Sequence, residues 1–210
     1  DSLVAELIPF LLDHPDASVT SALVAAGLAD DVIGATLKLA VAGGINEPQH
    51  AVTSVAWALS EHPVQLAAVA ANPQLWPDAF DETLRWLSPL SLVPRRVLRD
   101  TELHGVSLPE GSTVTAVIAS GNRDESVYER ASTFDIHRKK TVNLAFGSGL
   151  HMCAGMWATR WAIGSIALPM LYRRFEGFRT AEDRESPWFG FVVRGLVHHP
   201  VTWDRDTGRS

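Results

Sequence analysis

Cysteine is nearly absent. Cys153 is the only one in 210 residues, so no disulfide can form within the chain, and a reducing compartment, the cytoplasm, is the expected location. Long apolar runs are missing too: none reaches the roughly 18 residues that a membrane span needs, and no secretory signal opens the chain. Positive charge is in deficit, with 18 Lys and Arg against 24 Asp and Glu and a net charge of −6. That balance argues against nucleic acid or an anionic membrane as the main partner. No internal repeat and no low-complexity linker appears. An initiating methionine is also lacking; the chain starts in helical register at DSLVAELIPFLL, and the expectation is that its beginning is missing. What remains, 46% hydrophobic, can bury a core as one large domain or two small ones.

Apolar periodicity predicts helices over Leu3–Leu12, Val19–Gly27, Asp30 to about Glu61, Pro63–Ala71 and Trp76–Leu87. The long segment holds AVAGGINEPQH, and two glycines with a proline should bend it or open it locally. From Leu92 to Val117 the period shifts toward two, with strands expected in PRRVLR, TELHGVSL and STVTAVIA and a turn at LPEG. Residues 122–141 read as polar and irregular. A helix from about Ala154 to Phe175 follows, then a β-rich tail, FGFVVRGLVHHPVTW, expected to pair with the earlier strands. The class is α+β, mainly α, with small antiparallel sheets.

The single thiol sits in LAFGSGLHMCAGMWATRW. A lone cysteine is ordinarily a small buried hydrophobe. Against that, Cys153 stands at a predicted helix start, where the dipole and free N–H groups favour a thiolate. Gly147, Gly149 and Gly155 let the backbone fold tightly and turn amides toward sulfur. His151 is placed to meet an anionic group on a ligand. Such a thiolate suits a soft metal.

FGSGLHMCAG resembles the haem-binding loop of the cytochrome P450 family, Phe-Gly-x-Gly-x-His-x-Cys-x-Gly, at every fixed position: Phe146, Gly147, Gly149, His151, Cys153 and Gly155. The resemblance implies Cys153 as the axial thiolate of the iron of haem b, with Phe146 beside it and His151 toward a propionate. In ETLR, Glu82 and Arg85 match the family's Glu-x-x-Arg pair. Alone these would be a surface ion pair on one helical face; with the loop they imply structural support beneath the haem, closed by Arg138 of FDIHR. Arg95 matches the arginine that binds a propionate, Arg96 being a solvated neighbour. Leu90, Leu92 and Val93, with the turn at Phe191 and Val192, are implied to line the substrate pocket; plain core is the other reading of these apolar residues. Asn143 stands where many bacterial relatives carry histidine.

Two departures stand out. The resemblance places the central family helix at AGGINEPQHAV, where an acid followed by an alcohol usually manages protons. Here Asn46 and Glu47 hold those places, with Pro48 next, while Gly43 and Gly44 leave room for dioxygen or substrate. Glu47 relays protons itself, or oxygen activation is altered, or the side chain only caps a break at Pro48. Length is the second departure. The resemblance covers essentially the whole chain as the C-terminal half of one P450 domain, so activity is expected only of a full-length protein. The function implied is a haem-dependent monooxygenase that inserts one atom of dioxygen into a small apolar substrate. A ferredoxin or flavoprotein would supply the electrons. The alternatives are a peroxide-using or isomerising haem-thiolate enzyme and a non-catalytic haem-binding relative.

Overall fold

The computed structural model describes residues 2–139 and 143–208. The chain folds as two compact units, Asp1–Asn46 and Glu47–Ser210.

The first unit holds α1 (Ser2–Asp13), α2 (Val19–Ala25) and the opening of α3 (Asp30–Glu61). Ser18 caps α2, its Oγ accepting from Ser21 N at 3.1 Å. Asp30 and Asp31 place negative charge on the first turn of α3, where the dipole favours it. Ile8, Leu11 and Ile33 form its buried apolar positions.

α3 runs through Gly43, Gly44 and Pro48 as one unbroken helix, so the predicted local opening is not found. Proline's φ is compatible with a helix, and its cost is one lost donor and crowding of the preceding turn. Beyond it, Ala51, Val55, Ala58 and Leu59 are all buried, and this apolar face offsets that local cost.

The second unit is built around that face. α4 (Pro63–Ala71) and α5 (Trp76–Leu87) contribute Val69, Trp76, Ala79, Phe80 and Leu84 to one cluster with Phe134, Ile163 and Leu168. The expected C-terminal helix is a continuous helical run in three pieces: α7 (Met156–Thr159), a π-helical stretch over Arg160–Ala167 and α8 (Leu168–Arg174).

Strand pairing is local. β1 (Leu92–Arg96) pairs antiparallel with β4 (Thr113–Val117), Leu92 opposite Val117 and Arg95 opposite Val114. TELHGVSL is a hairpin rather than one strand: β2 (Thr101–Leu103) and β3 (Val106–Leu108) are joined by His104 and Gly105, both at positive φ, 49° and 78°. Two such residues in a two-residue loop make the turn that matches strand twist. α6 (Ile118–Gly121) follows β4, and residues 122–139 form turns and bends, as expected.

The tail folds mostly on itself. β5 (Phe175–Glu176) pairs with β10 (Arg205–Asp206), β6 (Arg179–Thr180) with β9 (Val201–Thr202), and β7 (Trp188–Phe189) with β8 (Gly195–Leu196). Its backbone link to the earlier segments is the bridge of Leu90 to Val193 with the flanking bonds Ser91 N to Val192 O and Arg194 N to Pro89 O, instead of the pairing with earlier strands that the pattern suggested. Among the described residues no helix is long and apolar enough to cross a membrane.

Candidate functional site

The loop before α7 presents the thiol. Gly147 sits at φ +69°, and a Cβ there would stand 3.3 Å from His151 O, so this position needs glycine. The reversal is closed by Cys153 N donating to Phe146 O at 2.8 Å. A one-turn 3₁₀ segment, Gly149–His151, brings the chain to Cys153, which is free and exposed. The buried-hydrophobe reading therefore fails. Two finer expectations are corrected as well. Cys153 precedes α7 by three residues instead of starting a long helix. Among the described residues, moreover, no backbone amide bonds its sulfur. Gly155 lies in ordinary contact distance, its would-be Cβ 3.8 Å from Sγ.

Beside the thiol the surface is apolar: Leu150 and Met152 are exposed. His151 is exposed too. Arg95, on β1, is exposed and among the described residues donates only to Pro94 O, at 2.8 Å. Phe146 is half-buried against the core cluster, with the Arg160 guanidinium 5.0 Å over its ring.

No three His, Cys, Asp or Glu side chains converge as a metal site among the described residues. A bare ion at Cys153 would thus have fewer than three such protein ligands among the described residues. That donor set instead fits a metal whose other positions are filled by a flat macrocycle, with apolar side chains to meet its face and cationic ones for anionic substituents. The chemistry of the donors fits haem.

Behind the loop lies a buried ionic network. Arg85 grips Glu82 twice, Nε to Oε2 at 2.7 Å and Nη2 to Oε1 at 2.8 Å. Its remaining donors reach Asn122 O at 2.7 Å, Ala131 O at 2.9 Å and Thr133 O at 3.2 Å. Arg138 closes the set with Nε 3.2 Å from Glu82 Oε1. Glu82 and Arg85 are 6% and 2% exposed, which overturns the surface-pair reading. A cavity of about 490 Å³ touches Glu82, Arg85, Phe146 and Gly147, but Cys153, His151 and Arg95 are not in its walls. Ser148, Met152 and Met156, on either side of the thiol in sequence, do line it.

The residues expected to line the pocket are partly brought together. Leu90 bridges Val193, and Ser91 N donates to Val192 O at 2.8 Å, so the Leu90, Leu92 and Val93 segment meets the turn carrying Phe191 and Val192. Leu90, Leu92 and Val93 are half-buried, while Phe191 and Val192 are exposed. Gly43, Gly44 and Asn46 belong to the first unit and are exposed. Glu47 opens the second unit half-buried, and its Oε2 is buried with no hydrogen-bond partner among the described residues.

Sequence reasoning missed Asn122. Fully buried, it accepts from Leu144 N at 2.7 Å, donates to Ser88 Oγ at 3.0 Å and offers its carbonyl to Arg85, tying the network to the loop. It missed Arg160, which pairs with Asp81 at 2.8 Å. Asn143 holds the same corner, donating to Asp81 O at 3.4 Å and accepting from Ala145 N at 3.1 Å.

A family model described as Cytochrome P450 matches residues 67–194. Cytochrome P450 105C1 of a Streptomyces species is 35% identical over 195 residues, 90% of this chain and 51% of that protein. The biotin biosynthesis cytochrome P450 of Bacillus subtilis strain 168 is 31% identical over 205 residues, 95% of this chain and 51% of its own length. Among solved structures, P450BioI in complex with an acyl carrier protein carrying hexadec-9Z-enoic acid matches with a TM-score of 0.90 at 29% identity, over 97% of this chain and 53% of that one. The hydroxylase HmtN of himastatin biosynthesis matches with a TM-score of 0.91 at 26% identity, over 97% of this chain and 56% of that one. The chain spans about half the length of the curated relatives it matches.

Proposed function

The chain belongs to the cytochrome P450 family, and on that premise we propose that it is the C-terminal portion of a single P450 domain. The whole protein is then a monooxygenase that inserts one atom of dioxygen into a small apolar organic substrate. Its electrons come from a ferredoxin or flavoprotein, and a thiol that must stay reduced suits the cytoplasm. The observation that carries the reading is the free, exposed Cys153 at the head of the Phe146–Gly155 loop.

When bound, haem b ligated by a thiolate supplies the dioxygen chemistry. This chain's residues do the rest. Cys153 furnishes the thiolate. Gly147 and Gly155 keep side chains out of its way, and Phe146 packs behind the loop. Arg95 and His151 neutralise the propionates, for which both are open to solvent. Glu82, Arg85 and Arg138 hold the loop's support rigid and take no part in the reaction. Leu90, Leu92, Val93, Phe191 and Val192 wall the substrate side.

Glu47 holds and releases the proton, with Asn46 beside it in sequence. A buried carboxylate oxygen without a partner is costly, and it is available to a water or a proton at Oε2. The same departure from acid-then-alcohol favours one second reading: a peroxide-using or isomerising haem-thiolate enzyme that needs no delivered proton pair.

The test is the reduced carbon monoxide difference spectrum of the full-length protein and of Cys153→Ser. The parent should give the thiolate-type band and the variant should lose it while keeping its helical content. An unaltered band in the variant overturns the assignment. Turnover driven by NADPH and a redox partner separates the monooxygenase from a peroxide-driven enzyme.

A further inference from the structure

We propose that His50 is a positioning residue that sets the turn carrying Phe191 and Val192, and thereby helps decide which ligands the pocket accepts. The inference rests on the reading above in which that turn faces substrate. His50 and Trp57 lie two helical turns apart on α3 and so share a side of it. Each holds one residue of β7: the His50 ring stands edge-on to Phe189 at 5.3 Å, and Trp57 edge-on to Trp188 at 5.0 Å. Opposite β7, Gly195 of β8 completes the seat. A Cβ there would collide with His50 Nδ1 and lie 2.7 Å from Cε1 and Cγ. The imidazole therefore fills the place where any larger residue at 195 would put its side chain.

The far side of the turn is tied by backbone. Arg194 N donates to Pro89 O at 2.7 Å and Ser91 N to Val192 O at 2.8 Å, while Ser91 Oγ donates to Phe191 O and, at 3.2 Å, to Val192 O. Gly190, at φ +84°, makes the tight entry that this geometry needs. These bonds fix the turn to the Pro89–Ser91 segment. Of the two rings that α3 sets against these paired strands, only His50 meets both, at Phe189 of β7 and Gly195 of β8. It stands three residues after Glu47 on the same helix, so one element carries both the proposed proton residue and the spacer of the pocket wall. Among the described residues the His50 ring makes no hydrogen bond, which leaves packing as its role.

Azole binding to the full-length, haem-loaded protein tests this. Imidazole is small enough to report on the iron site alone, while 4-phenylimidazole also reports on the pocket wall; both are read as Soret shifts. His50→Ala should change the dissociation constant for 4-phenylimidazole about tenfold and leave that for imidazole within about twofold. His50→Phe, which keeps a ring, should retain the parent values. Gly195→Ala should mimic His50→Ala by expelling the ring. The double variant His50→Ala/Gly195→Ala should be no worse than His50→Ala alone, because the added Cβ then has room. Equal changes for both azoles, or none for either in folded His50→Ala, overturn the proposal. A parent protein that shows no Soret response to either azole overturns the haem reading itself, a distinct result.

Discussion

Glu47 is under two opposed demands. Stability asks that a carboxylate oxygen buried without a partner be removed or paired, whereas proton handling asks that it stay available. Replacing it with glutamine removes the charge at nearly constant shape. Glu47→Gln should leave urea stability unchanged or raised, keep substrate binding close to the parent, and lower product formed per NADPH consumed in the full-length protein. If coupling is equal to the parent's, the side chain has no part in proton delivery. Tyr172 shows the purely structural counterpart. Its hydroxyl is buried without a partner, burial pushes its ionisation well above the ordinary range, and its ring packs on Trp76 and Phe178 at 5.0 Å each. Tyr172→Phe keeps the ring contacts and deletes only the stranded group, so it should be neutral or stabilising by up to about 1–3 kcal/mol in urea unfolding. A clear loss of stability would mean that the hydroxyl has a partner.

Between α5 and residues 122–138, five carbonyl and carboxylate oxygen atoms converge on Arg85: Glu82 Oε1 and Oε2 and the carbonyls of Asn122, Ala131 and Thr133. Removing either partner strands a buried charge, at a cost of about 3–5 kcal/mol. Glu82→Ala and Arg85→Ala should therefore unfold at markedly lower urea and retain less haem. Arg85→Lys should fall between them and the parent, since an ammonium has three donors and no fork. Fully stable, haem-replete variants that lose only turnover would contradict the structural role.

How far these elements were legible follows from the range of the signals. Glu82, Arg85 and Cys153 lie in short patterns, yet read alone Glu82 and Arg85 give a surface pair and only the family resemblance implied their buried role, whereas α5 has an apolar face that the 3.6 period exposes. Arg138 needed the family resemblance, being separated from Glu82 by 56 positions. The His104–Gly105 hairpin was hidden because histidine is an unusual occupant of a positive-φ turn position. Pro48 suggested a break because sequence shows the missing donor but not the buried Ala51, Val55 and Leu59 that keep the helix intact. The wedge of His50 against Gly195 spans 145 residues by subtraction of their numbers, and no periodicity connects such distant positions.

For the chain as a whole, pH decides which buried groups limit stability, and the two limbs have different owners. On the acid side His199 acts first. Burial holds its imidazole below the ordinary value of 6.5, its Nε2 is buried without a partner, and Nδ1 lies 3.0 Å from Ser186 Oγ. Below pH 6.5 the unfolded ring takes a proton that the folded ring refuses, so the unfolded state binds more protons and stability falls with falling pH. The loss ends once the folded ring is protonated too. Asp206, lowered chiefly by its hydrogen bond from Arg174, and Asp16 and Asp124, lowered by Ser18 and Ser126, add a second decline below the ordinary 3.8 of a carboxylate. On the alkaline side Tyr172 is held neutral by burial, and Tyr128 is raised from the same leading cause. Above pH 10 the unfolded phenols ionise while the folded ones keep their protons, so stability falls as pH rises. All seven tryptophans lie between Trp57 and Trp203, so their fluorescence in urea reports on the second unit. The urea midpoint should be flattest between about pH 6.5 and 10. His199→Gln should flatten the limb from about pH 6.5 down to the carboxylate range, and Tyr172→Phe should soften the alkaline one. Midpoints of parent and His199→Gln that decline in parallel from about pH 7 to 5 would move the acid trigger to another residue.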